Sequence, residues 1–291
     1  MNAYILIIMA DLLLAANFVF QKRYQKLFGT SLKAGLVYNA LMGVFSAVMF
    51  LCINRFEIRI TGFSFLMAVI FATVVMLYIF VGFKLMEKGS MSIYTLFLMA
   101  GGMTVPYVWG VLFLDEKLTL IRTIGLLAII AAIGISNSGA KKTDKKQIIM
   151  CVAVFLLNGV ASVTSKMHQI NPVSQVVTSP DFAFLVMVVK AVMCSIILFI
   201  NRKQFAGDDR KISQVKTILP IVLLAAMTDG LSYMLQLIGA TQLPATVLYP
   251  MVTGGSVILT SLAGVIVFKE KLSARQWIGV AICFMGTLFF L

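Results

Sequence analysis

Two stretches decide the fold: LFLMAGGMTVPYVWGVLFLDEKLT at 96–119 and LYPMVTGGSVILTSLAGVIVFKEKLS at 248–273. Each is a long apolar run carrying a glycine pair, and each ends in a short Glu-Lys-Leu turn. A shift of 154 places Gly101 on Gly255, Gly110 on Gly264, Glu116-Lys117-Leu118 on Glu270-Lys271-Leu272, Thr119 on Ser273 and Gly125 on Gly279. Beyond both turns lies a further run with no charge after its first turn. A weaker echo links LLLAANFVFQK (12–22) to FLLNGVASVTSK (155–166), ending on Lys22 and Lys166. Two matches in the same order point to duplication of one unit.

Working outward, apolar blocks fill the chain. Of its 291 residues, 60% are hydrophobic and 12% charged, against roughly 25% charged in a soluble domain. The blocks 34–54, 60–83 and 89–114 carry no charge inside their ends apart from the bounding loops. Each is long enough to cross a ~30 Å hydrocarbon core, which takes about 20 helical residues. Barrel strands would alternate apolar and polar residues, and these blocks do not. The sequence therefore predicts an all-α integral membrane protein with ten transmembrane helices, near 3–21, 34–54, 61–83, 90–113, 121–139, 148–165, 182–201, 217–237, 245–267 and 275–291. Asp11 and the lack of a basic leader argue against reading the first block as a cleaved signal.

Ten helices in two copies give five per unit. Five is odd, so the second copy enters the membrane from the opposite side. The expected organisation is two inverted five-helix repeats, 1–140 and 148–291, joined by a cytoplasmic linker at 141–147. Inverted repeats are a recurrent architecture of secondary transporters.

The net charge of +13 is explained by topology. The connections after helices 1, 3, 5, 7 and 9 hold eighteen Lys and Arg: Lys22, Arg23, Lys26, Lys33, Lys84, Lys88, Lys141, Lys142, Lys145, Lys146, Arg202, Lys203, Arg210, Lys211, Lys216, Lys269, Lys271 and Arg275. The other four connections hold five: Arg55, Arg59, Lys117, Arg122 and Lys166. The positive-inside rule puts the first set in the cytoplasm and both termini outside. No basic run interleaves stacking aromatics, so no nucleic acid is expected as a partner. The four cysteines share no metal-ligand spacing, and the single histidine comes without an HExxH, GxSxG or P-loop pattern. The sequence reads as a non-enzyme, with no cofactor or metal implied.

Three ionisable residues lie deep within predicted helices: Asp11, Lys190 and Asp229. They sit roughly 12, 13 and 18 Å from the starts of helices 1, 7 and 8, at about 1.5 Å per residue. A charge at that depth costs about 3 kcal/mol on insertion scales and faces a cavity or a partner. One reading is a buried Lys190–Asp229 pair that only ties helix 7 to helix 8. The other pairs Lys190 with one of the two acids and leaves the other free to hold a proton or a cationic solute in alternation. Asp229 favours solute contact because Tyr233 and Gln236 follow it on the same helix face. Asp11 favours proton coupling. Polar and aromatic residues at similar depth complete the candidate site: Asn17, Tyr78, Trp109 and Asn158.

Two five-helix halves, each closing with a Gly-rich fourth helix, a Glu-Lys-Leu turn and an apolar fifth helix, resemble the drug/metabolite transporter superfamily, in its ten-helix EamA-type branch. The resemblance spans the whole chain. It implies alternating access, with helices 1, 3, 4, 6, 8 and 9 walling a central cavity and helices 5 and 10 bracing it. The opening MNAYILIIMADLLLAANFVFQK also resembles the first helix of the small multidrug resistance family; where that family carries a proton-coupling glutamate, this chain has Leu14, with Asp11 one turn earlier. The expected activity is secondary transport of a small cationic or zwitterionic metabolite or drug-like solute, coupled to protons, in the cell membrane by a monomer or homodimer. A lipid or lipid-linked sugar flippase is the alternative.

Overall fold

A computed structural model describes residues 3–87, 91–136, 145–172, 175–203 and 215–291. Residues 141–144 of the linker, the end of the expected fifth span (137–139), and Lys88, Lys141, Lys142, Arg210 and Lys211 lie outside the described residues. Among the described residues the chain forms ten α-helices: α1 Ala3–Phe28, α2 Leu32–Ile53, α3 Gly62–Glu87, α4 Met91–Phe113, α5 Leu120–Ser136, α6 Lys145–Ile170, α7 Ser179–Ile200, α8 Val215–Gln242, α9 Ala245–Phe268 and α10 Ala274–Leu288. Eight are long and apolar enough to span a bilayer; α5 is apolar but shorter, with 17 residues.

The helices stop where local chemistry stops them. Ser31 and Thr178 cap α2 and α7, accepting from the amides of Ala34 and Asp181. Ser273 and Gln276 form a capping box at α10, satisfying amides the helix leaves open. α1 runs seven residues beyond the expected 21, because Gln21–Phe28 contains no breaker before Gly29, which takes φ +81°. α8 likewise continues past 237 until Pro244 stops it. α6 begins at Lys145, so residues 145–147 of the expected linker are helical. The extensions of α1 and α6 place Lys22, Arg23, Lys26, Lys145 and Lys146 on a rigid helix rather than in a loop.

The most extensive helix contacts obey a simple exchange. Replacing each of α1–α5 by its counterpart in α6–α10, and the reverse, turns the α1–α8 contact into α6–α3, α4–α6 into α9–α1, and α2–α8 into α7–α3. All six contacts are present, and the pairs α2–α7, α4–α9 and α5–α10 map onto themselves. The shift of 154 carries α4 onto 245–267 and α5 onto 274–290, close to the bounds of α9 and α10.

The equivalence reaches individual side chains. Asp115 and Lys269, 154 apart, are both left-handed, with φ of 51° and 54°. The amides of Glu116 and Glu270 then donate to the carbonyls of Gly110 and Gly264 at 3.1 and 3.2 Å. A Cβ on Gly110 or Gly264 would lie 2.6 or 2.8 Å from the carboxylate of that same glutamate, so a side chain at either position would push that carboxylate aside.

Contacts also sort the connections into two ends. The α2–α3, α4–α5, α6–α7 and α8–α9 connections meet at one, here the Gln242 end, through Asn54–Asp181, His168–Ser64, Lys166–Leu243 and Glu116–Ala245. At the other, the Lys269 end, the C-terminal turns of α1 meet the α9–α10 turn through Lys22 and Glu270.

Candidate functional site: a central polar cavity

The middle of α8 shows why the site lies where it does. Asp229, Ser232, Tyr233 and Gln236 recur at three- and four-residue intervals, a single helical stripe, and all four line one cavity. Facing them are Phe71, Val75 and Tyr78 from α3, and Met187 and Lys190 from α7. This cavity, of about 180 Å³, adjoins a second of about 150 Å³. The two share Phe71, Val75, Tyr78, Tyr233 and Gln236. The second is walled by a stripe of α6, Asn158, Ser162 and Ser165, and by Leu248 and Tyr249 of α9.

The charged lobe is not a closed ion pair. Asp229 Oδ1 accepts from Asn17 Nδ2 at 3.0 Å, and Tyr38 donates to Asn17 Oδ1 at 3.4 Å. Lys190 lines the same cavity as Asp229, yet no carboxylate comes within 4 Å of its ammonium among the described residues. The two opposite charges therefore face one space with room between them. The neutral lobe is held rigidly. Ser165 and Tyr233 share a hydrogen bond of 3.0 Å, Asn158 donates to the Leu98 carbonyl at 2.7 Å, and Tyr249 donates to the Ser162 carbonyl at 2.5 Å. Phe71 and Tyr233 pack ring to ring at 5.4 Å.

Of the residues singled out from the sequence, Asp229, Tyr233, Gln236, Tyr78, Asn158 and Lys190 converge on these cavities, with Asn17 one layer behind, orienting Asp229. Two fall elsewhere. Asp11 is 3% exposed and points at α9, its carboxylate filling the space that a side chain on Gly255 would need. Its Oδ1 has no hydrogen-bond partner. Trp109 stacks on Phe113 at 4.2 Å with Nε1 buried and unpartnered, away from the lining residues. Ser162, Ser165 and Ser232 were not singled out; their spacing from Asn158 and Asp229 on the same helix faces is the signal that finds them.

Each end of the bundle is tied by charge. At the Gln242 end, Lys166 is 5% exposed and donates to the carbonyls of Ala240 and Leu243 at 2.6 and 2.7 Å. Glu116 accepts from the amides of Ala245 and Thr246, the first of α9, at 2.6 and 2.7 Å. His168, fully buried, lies between Phe63 and Phe182, with its ring nitrogens on Ser64 and Gln169 at 2.8 and 2.9 Å. At the Lys269 end, Lys22 pairs with Glu270 and lies over the Phe268 ring at 4.8 Å.

A ten-helix bundle with a polar cavity at mid-depth is a transporter's layout, and the second half carries a family signature: residues 145–291 match the model of the EamA-like transporter family. The chain belongs to the EamA-like transporter family. It is accordingly a multi-pass membrane protein and a transporter of the drug/metabolite type. A solved crystal structure shares the fold with a TM-score of 0.77, covering 99% of this chain and 96% of its own at 14% identity. No curated protein matches the sequence. In EamA-like terms, the family match falls on α6–α10, which supply Asn158, Lys190, Asp229, Tyr233, Gln236 and Tyr249 to the site.

Proposed function

We propose that the protein is a secondary transporter carrying a small cationic or zwitterionic solute by alternating access, with residues 1–140 and 148–291 as the two inverted halves that rock about the central cavity. The observation that carries this reading is the unpaired opposition of Lys190 and Asp229 across one space. A charge at mid-membrane costs about 3 kcal/mol even on insertion scales. Two opposite charges left apart forgo the attraction that would offset that cost. A solute bearing an ammonium group recovers it at Asp229, and an anionic group on the same solute recovers it at Lys190. Tyr78, Tyr233, Asn158 and Gln236 then offer neutral polar contact to the rest of the molecule.

Asp11 suits the coupling role. Its Oδ1 is buried without a hydrogen-bond partner, and it stands on α1 beside Ala10, whose carbonyl accepts from Ser232 of the cavity at 2.7 Å. A proton taken up there alters the α1–α9 contact without competing for the solute site. The charge distribution of the connections supports a cell-membrane orientation with the Lys269 end in the cytoplasm and both termini outside.

Purified protein in liposomes, assayed for uptake of labelled amines, amino acids and monoanions of similar size, tests the solute class. Uptake of the anions alone would defeat it. A cysteine at Lys146, exposed at the start of α6, is expected to be labelled by an impermeant maleimide only after cells are opened. Labelling in intact cells would reverse the orientation and leave the fold untouched.

A further inference from the structure

The two ends of the molecule use equivalent residues in different ways. The shift of 154 relates Glu116 to Glu270, and the α1–α6 echo relates Lys166 to Lys22. At the Gln242 end the two charges are split between helix ends. Glu116 takes the first amides of α9, and Lys166 takes the carbonyl of Ala240 in the last turn of α8 and that of Leu243 just beyond it. At the Lys269 end the two charges meet each other, with Lys22 25% and Glu270 42% exposed in their side chains. The same shift sends Ala245 and Thr246 to Met91 and Ser92, the first residues of α4.

Equivalent sequences in two arrangements amount to two conformers of one repeat present at once. We infer that Lys166–Glu116 and Lys22–Glu270 are reciprocal latches, and that the opposite-facing state of the transporter exchanges them. In that state Glu270 takes the amides of Met91 and Ser92, and Lys22 leaves it for the adjoining end of α3. Glu116 releases α9 and pairs with Lys166 at an opened Gln242 end. This inference rests on the alternating-access reading. Its energetic appeal is that the exchange conserves the inventory of bonds. Each state holds one split latch with a buried lysine and one more exposed ion pair, so neither is far below the other, as a transporter that must visit both requires.

The two glutamates then act in opposite directions. Glu116→Gln removes a charge-assisted cap from the present state but only an exposed pair, worth little, from the other. It favours opening at the Gln242 end. Glu270→Gln does the reverse. Spin labels at Lys117→Cys and Gln242→Cys, both exposed, report the separation of the α4–α5 and α8–α9 turns, with the exposed Cys52 replaced by Ser. In full-length protein in lipid nanodiscs, Glu116→Gln is expected to raise the long-distance population about tenfold, the scale of a charged hydrogen bond. Adding Glu270→Gln is expected to return it toward the wild-type distribution. Where a glutamine variant fails to fold, Gly110→Ala and Gly264→Ala take its place, since each new Cβ displaces the neighbouring carboxylate without changing charge. Shifts in the same direction, or none, in a protein that still transports overturn the latch exchange and leave transport standing. Opposing shifts in a protein that moves no solute leave the exchange standing and remove the transport reading.

Discussion

The contact between α4 and α6 and the contact between α9 and α1 are the same steric design with different chemistry. In the first, Gly101 lies against the backbone of Phe155; in the second, Gly255 lies against the side chain of Asp11. Phe155 and Asp11 stand 144 apart, the offset that also relates Lys166 to Lys22. Duplication kept the slot, which the backbone of α6 fills at Gly101 and a carboxyl group of α1 fills at Gly255. The cavity repeats the lesson. Val75 and Asp229, 154 apart, both line it, one apolar and one acidic. The shared scaffold builds the space, and the departures from symmetry supply its charge.

The largest expected effect comes from removing the acidic member of that second pair. Asp229→Asn keeps the shape and the Asn17 contact but loses the charge. Solute uptake should fall about 100-fold, close to 3 kcal/mol, with size-exclusion behaviour and thermal stability near wild type. Uptake within a few-fold of wild type would mean that the charge difference between Val75 and Asp229 is not what the cavity uses.

Asp11 should behave in the opposite manner. Asp11→Leu replaces a carboxyl group lacking one partner by an apolar side chain of similar size. It should stabilise the detergent-solubilised protein by about 1–3 kcal/mol, because an unsatisfied buried polar group is removed. Asp11→Asn should leave solute binding in place while flattening the pH dependence of uptake. A less stable Asp11→Leu protein would show that the carboxylate is a structural partner after all, and that the two α-helical contacts differ less than their chemistry suggests.

A smaller effect sharpens the account of how Asp229 is held. Asn17→Ala removes the 3.0 Å hydrogen bond and should raise the half-saturating solute concentration about fivefold, roughly 1 kcal/mol. The maximal rate should change little. An effect as large as that of Asp229→Asn would place Asn17 itself against the solute.

The sequence carries the fold clearly because the bilayer enforces it. Uninterrupted apolar runs and the glycine and Glu-Lys-Leu repeats leave little choice of topology. The site is only partly legible. Asp229, Tyr233 and Gln236 share a face by simple periodicity. In lipid, however, an apolar face no longer marks the protein interior, so a helix that is apolar all round does not say which way Asp11 or Trp109 points. Glu116 and Lys166 are legible as loop charges that orient the chain. Their capping of α9 and α8 depends on two connections meeting at one end, which no local pattern contains.

Exposure gives the two latches different sensitivity to their surroundings. Ions screen a charge only where they can approach it, over a Debye length of about 8 Å at physiological ionic strength. Lys22 and Glu270 stand within their reach, and Lys166, 5% exposed, does not. Salt on the Lys269 side of the membrane thus touches both partners of one latch, and at the other end Lys166 is shielded from it.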